Sequence, residues 1–209
     1  MQPTTDDKSR ETTTDRPIVR RVGTEPDQRT FPPPSFDKVR PGDDLEFDAH
    51  VNIEQVDDGH YLKKATIFSN VPNGGTWEVI SDEGTAIGGE GSAPSPLMYF
   101  AVGMGFCLMS HVEIVAEQLD VDLAEARLEQ RSSFATTYTL GDIHPREIFG
   151  HGETQEFHLV LEADASEEEM AEFAGWCRQA CMALQTVEGG APVVTELHLN
   201  GNRIPIPSS

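Results

Sequence analysis

The chain has 209 residues, 36 of them acidic and 15 basic, for a formal net charge of -21. That length suits one domain with a tail, or at most two small domains. The charge repels phosphate backbones and anionic lipid, so neither nucleic acid nor a membrane is an expected partner.

Lysine occurs only at Lys8, Lys38, Lys63 and Lys64, with arginine supplying the remaining basic residues. An acidic, lysine-poor chain looks like a cytoplasmic protein from a salt-in halophile, as in haloarchaea; an ordinary acidic mesophile protein is the plain alternative. Its self-repulsion needs screening, and molar salt shortens the Debye length to roughly 3 Å. Three cysteines, Cys107, Cys177 and Cys181, do not make a secreted disulfide framework and suit a reducing cytoplasm. Met1 to Arg10 is polar and mixed in charge, unlike a secretory leader.

Residues 1–42 are rich in Thr, Asp, Arg and Pro and include Phe31-Pro32-Pro33-Pro34. They read as a disordered or loosely docked arm, followed by a folded domain over 43–209. Leu45, Phe47, Ala49, Val51 and Ile53 alternate with polar residues, the period of a half-buried strand. Asp57-Asp58-Gly59 is a turn signal, and 61–69 reads as the returning strand. After Asn73-Gly74-Gly75, residues 76–81 predict a third strand. A glycine-rich loop then runs from Asp82 to Ser95.

Ser95-Pro96 pairs an N-cap residue with proline at the first helical position. The predicted helix extends from Pro96 to about Leu119 and is apolar on all sides over its first three turns, as a buried helix is. Its continuous apolar part, Leu97 to Met109, is short of the roughly 20 residues that span a bilayer. Gly103 and Gly105 lower its propensity and leave room for another backbone. A connection over 120–126 leads to strand-like residues in 127–140, and Phe157, Leu159 and Leu161 alternate again. Ser166-Glu167-Glu168-Glu169 is a capping box. It opens a second helix expected from Glu167 to about Gln185, and Val193 to Leu199 reads as a last strand. Strands, buried helix, strands, helix, strand is an α+β order.

Cys107 falls in the middle of the first helix. Cys177 and Cys181 lie four apart on the second and share a face. A thiol from each helix would suit two-electron chemistry, in which a sulfenic acid formed on one condenses with the other. Free cysteine is also a common packing residue, so burial alone is the plain alternative. His111 lies one turn after Cys107, and a charged imidazole beside a thiol favours the thiolate. Tyr99 is two turns before Cys107, at a spacing to line the same pocket or simply to pack. Cys107, His111, Cys177 and Cys181 contain the ligand types of a Cys₃His zinc site, although their spacing matches no finger or ribbon. No motif supplies the orienting group and oxyanion hole of a Cys-His hydrolase.

The run Gly88-Gly89-Glu90-Gly91-Ser92-Ala93-Pro94-Ser95-Pro96-Leu97-Met98, with the apolar helix carrying Cys107, resembles the OsmC/Ohr family. In that family a proline opens the cysteine helix eleven residues before the reactive thiol, as Pro96 stands to Cys107. A second cysteine sits on the second long helix, where Ala180-Cys181-Met182 falls. The resemblance covers about residues 45–205. It implies an OsmC-like α+β fold of antiparallel sheets wrapped around two long helices, in an intertwined homodimer. It also implies thiol-dependent reduction of organic hydroperoxides, with Cys107 as the attacking thiol and Cys181 as the resolving one. Tyr99 and His111 would line the pocket for a small organic hydroperoxide or other apolar molecule. An external thiol would act as reductant, and neither organic cofactor nor metal is called for.

The peroxidase branches place a glutamate directly after the helix-opening proline, where it orients an activating arginine; here that position is Leu97. Arg20, Arg21, Arg40 and Arg131 fit the arginine by type, but none lies in an alignable motif. The departure keeps a second reading open: an OsmC fold that binds a small ligand or serves in stress without peroxidase activity.

Overall fold

The computed structural model describes residues 17–23, 48–56, 61–69, 74–137, 147–199, 202–204 and 206. Its backbone divides into two units, residues 1–100 and 101–209, with the boundary inside the first long helix.

In the N-terminal unit, period-two alternation marks the strand that begins at Ala49, and a cross-strand charge pair supports its register. Strands β1 (Val19–Gly23), β2 (Ala49–Gln55), β3 (Lys63–Ser69) and β4 (Thr76–Ser81) form one sheet in the order β1-β4-β3-β2. All its pairings are antiparallel. Glu54 lies opposite Lys64 and meets it at 2.5 Å, a cross-strand pair of opposite charges. The turn signals at Asp57-Asp58-Gly59 and Asn73, and the apolar Leu45 and Phe47, lie outside the described residues.

β1 lies within the 1–42 stretch that reads as an arm. It pairs with the edge of β4, where Arg20 bonds Glu78 at 2.8 Å and the Arg21 guanidinium lies 6.0 Å from the Trp77 ring centre.

The loop after β4 is built around one carboxylate. Asp82 is buried and accepts hydrogen bonds from the backbone N–H of Glu83 (2.8 Å), Glu90 (3.2 Å) and Ser92 (2.9 Å) and from the Ser92 hydroxyl (2.8 Å). Burial pushes this carboxyl up, but the bonds from Ser92, Glu83 and Glu90 outweigh it and hold it below the ordinary aspartate range. Gly89 is obligatory here, because a Cβ would come within 2.0 Å of the Glu83 carbonyl oxygen.

Helix α1 (Pro96–Leu119) has the predicted bounds. The Ser95 carbonyl accepts from the N–H of Met98 and Tyr99, so Ser95 stands at the start as read from Ser-Pro. Asp120, at φ +55°, turns the chain left-handed, and the Val121 N–H returns to the Ala116 carbonyl at 2.9 Å, closing the helix.

In the C-terminal unit α1 packs by one face. Met104, Leu108, Val112, Val115 and Ala116 are buried, spaced as one stripe of a 3.6-residue helix. They meet Phe173, Cys177, Cys181 and Leu184, with Leu128, Phe157, Leu159 and Leu161 packed alongside. The expectation of a helix buried on all sides is therefore corrected: Val102, Phe106 and Ile114 are exposed, Phe106 to 69%. By length and composition α1 could also cross a membrane, yet its buried stripe is the core of this unit. Gly105 admits side chains, not another backbone. A Cβ there would meet Gln130 Oε1 at 2.6 Å, and Gln130 Nε2 donates to the Ala101 carbonyl at 2.9 Å.

β5 (Leu123–Thr136) and β6 (Gly150–Ala163) form a long antiparallel pair with an irregularity at Ser132/Phe134. β5 begins inside the segment expected to be a connection. Ser166 then caps α2 (Glu167–Ala180) in a complete capping box with Glu169. The single helix expected to Gln185 is instead two. α2 ends at Ala180, and α3 (Met182–Gly189) starts after Cys181, whose ψ of 101° is extended. Gln185 Nε2 donates to the Arg178 carbonyl at 3.3 Å, helping to satisfy a carbonyl near the break. The last strand is also corrected: Val193 and Val194 are exposed and unpaired in any sheet, while β7 (Leu197–Leu199) and β8 (Asn202–Ile204) form a small hairpin.

Candidate functional site

Cys107 and His111 are four residues apart on α1, so helix geometry alone sets them on one face. His111 Nδ1 is 2.7 Å from the Cys107 carbonyl oxygen and 3.9 Å from Cys107 Sγ. A carbonyl only accepts, so Nδ1 carries a proton in this arrangement, and in the neutral ring the lone pair sits on Nε2. The same N–H is within reach of the sulfur.

The third member arrives from the joint between α2 and α3. Cys181 is fully buried, and one ligand atom each from Cys107, His111 and Cys181 lies within 4.8 Å of the others. Burial pushes the Cys181 thiol up. The backbone N–H of Leu184, and to a lesser degree that of Ala183, act against this at the α3 N-terminus, while Cys107 beside it pushes further up. Cys181 makes no formed side-chain cap bond there, so its sulfur feels the helix end without being fixed by it. Cys177, one turn earlier, is buried in the core and stands outside the cluster; burial likewise raises its thiol. All three cysteines are free thiols. The Cys₃His combination thus resolves to two cysteines and one histidine.

Several of the other candidate residues have partners of their own. The Tyr99 hydroxyl donates to the Ile80 carbonyl at 2.6 Å, tying the start of α1 to β4 within the N-terminal unit. Leu97, at the glutamate position, is exposed. Arg20 pairs with Glu78, Arg21 lies over Trp77, and Arg131 is exposed on β5 opposite Glu156. Arg40 lies outside the described residues. The His111 ring is held by a backbone carbonyl, not by the carboxylate or amide side chain that a hydrolase triad employs.

A cavity of about 640 Å³ opens in the C-terminal unit among Met104, Leu108, Phe157, Leu159, Leu184 and Val187. Leu108 and Leu184 are near neighbours in sequence of Cys107 and Cys181, but neither thiol lines it. Arg178 and Glu188, paired at 2.8 Å, also line it. So does Gln155, whose buried Oε1 has no hydrogen-bond partner among the described residues. No local sequence signal marks Gln155, because the cavity gathers three helices and a strand that are far apart in the chain.

The family model for OsmC-like protein matches residues 89–196, which include all three cysteines and His111. The match spans more than half of the chain, and the protein belongs to the OsmC-like family. Its fold is similar to that of an OsmC-like protein from Mycoplasma pneumoniae, at 17% identity and a TM-score of 0.50, covering 70% of this chain and 89% of that one. An OsmC-like hydroperoxide resistance protein from Jannaschia sp. aligns at 19% identity and a TM-score of 0.47, over 76% of this chain and 95% of the other. An organic hydroperoxide resistance protein from Elizabethkingia anophelis aligns at 17% identity and a TM-score of 0.44, over 71% and 91%. No curated protein matches the sequence significantly.

Proposed function

We propose that this protein reduces organic hydroperoxides through Cys107 and Cys181, as a homodimer in a reducing, cytoplasmic compartment. The observation that carries the reading is the cluster of Cys107, His111 and Cys181 within 4.8 Å.

The Cys107 thiolate attacks the terminal peroxide oxygen. The O–O bond breaks, Cys107 becomes a sulfenic acid, and the alkoxide takes a proton and leaves as the alcohol. The Cys181 sulfur then attacks the sulfenic sulfur, water leaves, and a Cys107–Cys181 disulfide forms. An external thiol reductant returns both cysteines to thiols by exchange and is itself oxidised to a disulfide. His111 takes the activating place left by the missing glutamate: its Nδ1–H, 3.9 Å from Cys107 Sγ, donates toward the developing thiolate. Closing an S–S bond of about 2.05 Å requires the sulfurs to approach. The extended joint at Cys181 supports this, since that residue belongs to neither helix.

The dimer is supported by the outer face of α1. Val102, Phe106 and Ile114 are exposed there, and an exposed apolar face is a candidate for burial against a partner. Phe106 adjoins Cys107, so a partner chain seated on this face would also wall the thiol.

Peptide mapping without reduction tests the reaction. One equivalent of cumene hydroperoxide should yield a Cys107–Cys181 linked peptide in wild type. Recovery of both peptides as thiols would contradict it.

A second reading rests on the cavity beside Leu108 and Leu184. Its apolar lining and the unpartnered Gln155 Oε1 suit an apolar small molecule carrying one hydrogen-bond donor. In that case the protein binds a ligand without turnover, and the thiols survive peroxide.

A further inference from the structure

We propose that Cys107, Cys181 and His111 also form a three-ligand site for a borderline-soft divalent ion, Zn²⁺, with the fourth position open to water or an external thiol. The inference rests on the same thiol pair as the proposed reductase, but not on its activity.

The donor set comes first. Two sulfurs and one imidazole select zinc-like ions and discriminate against K⁺, Mg²⁺ and Ca²⁺, which prefer oxygen. A saline cytoplasm therefore does not compete for the site.

The geometry is close to what the ion needs. The three ligand atoms lie within 4.8 Å of one another. Zinc bonds of about 2.3 Å to sulfur and about 2.0–2.1 Å to nitrogen put tetrahedral ligands roughly 3.3–3.8 Å apart. Closure thus calls for a contraction of roughly 1 Å, less than disulfide formation demands. Two donors are already on one helix face, and the third sits at the α2–α3 joint.

Electrostatics favour the ion as well. Two thiolates side by side, Cys181 buried and Cys107 half-buried, would repel. A divalent cation between them leaves the cluster neutral, and each Zn²⁺ bound releases two thiol protons to solvent. No electron moves in this step. With both sulfurs ligated, peroxide finds no free thiolate, so zinc holds the pair reduced and inactive until an external chelator or thiol removes it.

Cobalt titration of the reduced full-length protein in molar KCl tests the site. Co²⁺ should bind once per chain, with a thiolate-to-cobalt charge-transfer band and tetrahedral d–d bands, and equimolar Zn²⁺ should displace it. Cys107→Ser and Cys181→Ser should each remove about half of the charge-transfer intensity and weaken binding by about 100-fold or more, and His111→Gln by about tenfold or more. Cys177→Ala, outside the cluster, should leave the spectrum unchanged, and circular dichroism verifies that each variant is folded. Absence of the band in folded wild type, or its full intensity in Cys181→Ser, overturns the site. Peroxide consumption untouched by stoichiometric Zn²⁺ removes the metal site and leaves the reductase; a cobalt band in a protein that ignores peroxide does the reverse.

Discussion

Cys177 and Cys181 are both fully buried and four residues apart, yet only Cys181 reaches Cys107 and His111. The difference is the backbone: Cys177 lies inside α2, whereas Cys181 sits between α2 and α3. Replacing Cys177 with Ala should cost stability, on the order of 1–2 kcal/mol for a small buried side chain, and leave peroxide-driven thiol oxidation intact. A melt combined with a thiol assay reads both. In the N-terminal unit, Asp82 carries the loop through four accepted hydrogen bonds. Asp82→Asn loses the charge that strengthens them and should cost about 1.5–3 kcal/mol, as for hydrogen bonds to a charged group. Because folding depresses this carboxyl, its stabilisation is full above the unfolded aspartate value of about 3.9 and is lost as pH falls through the lower folded value. Acid melts of wild type should therefore fall more steeply in that range than those of Asp82→Asn. Parallel curves would assign the loop's stability elsewhere. Gly89→Ala should disrupt the same loop, since its Cβ would overlap the Glu83 carbonyl.

The elements differ in how far the sequence exposed them. α1 was legible because Ser95-Pro96 marks its start and a long apolar run follows. The capping box at Ser166 was legible because both of its bonds are local. The break at Cys181 was not, since Ala180-Cys181-Met182 contains neither proline nor glycine, and nothing in that local run marks the joint. β1 was hidden in a Pro- and Thr-rich segment, and its strand character comes from docking on β4. The closing hairpin did carry a signal: Asn200-Gly201, between β7 and β8, is a favoured two-residue hairpin dipeptide, but the valines before it read as the strand. Of the site, spacing alone put His111 beside Cys107, and resemblance brought in Cys181. The Tyr99 hydroxyl donates to the Ile80 carbonyl, a contact that depends on β4 and lies beyond local pattern.

The whole molecule carries a net charge of -21. Exposed like charges weaken a fold by repulsion that salt screens, so the melting temperature should rise between low and molar KCl. An unchanged value would remove the halophile account. The apolar face of α1 gives the second prediction at this scale: light scattering in molar KCl should find a dimer, and Phe106→Glu should shift it toward monomer. The most direct measurement is a count of free thiols over time, in molar KCl, after a slight excess of cumene hydroperoxide is added to reduced wild type and to Cys107→Ser. The proposed chemistry predicts rapid loss of two thiols per chain in wild type, with Cys107→Ser keeping both of its remaining thiols. Wild-type thiols that survive for hours would contradict it and make the cavity beside Leu108 and Leu184 the site to pursue.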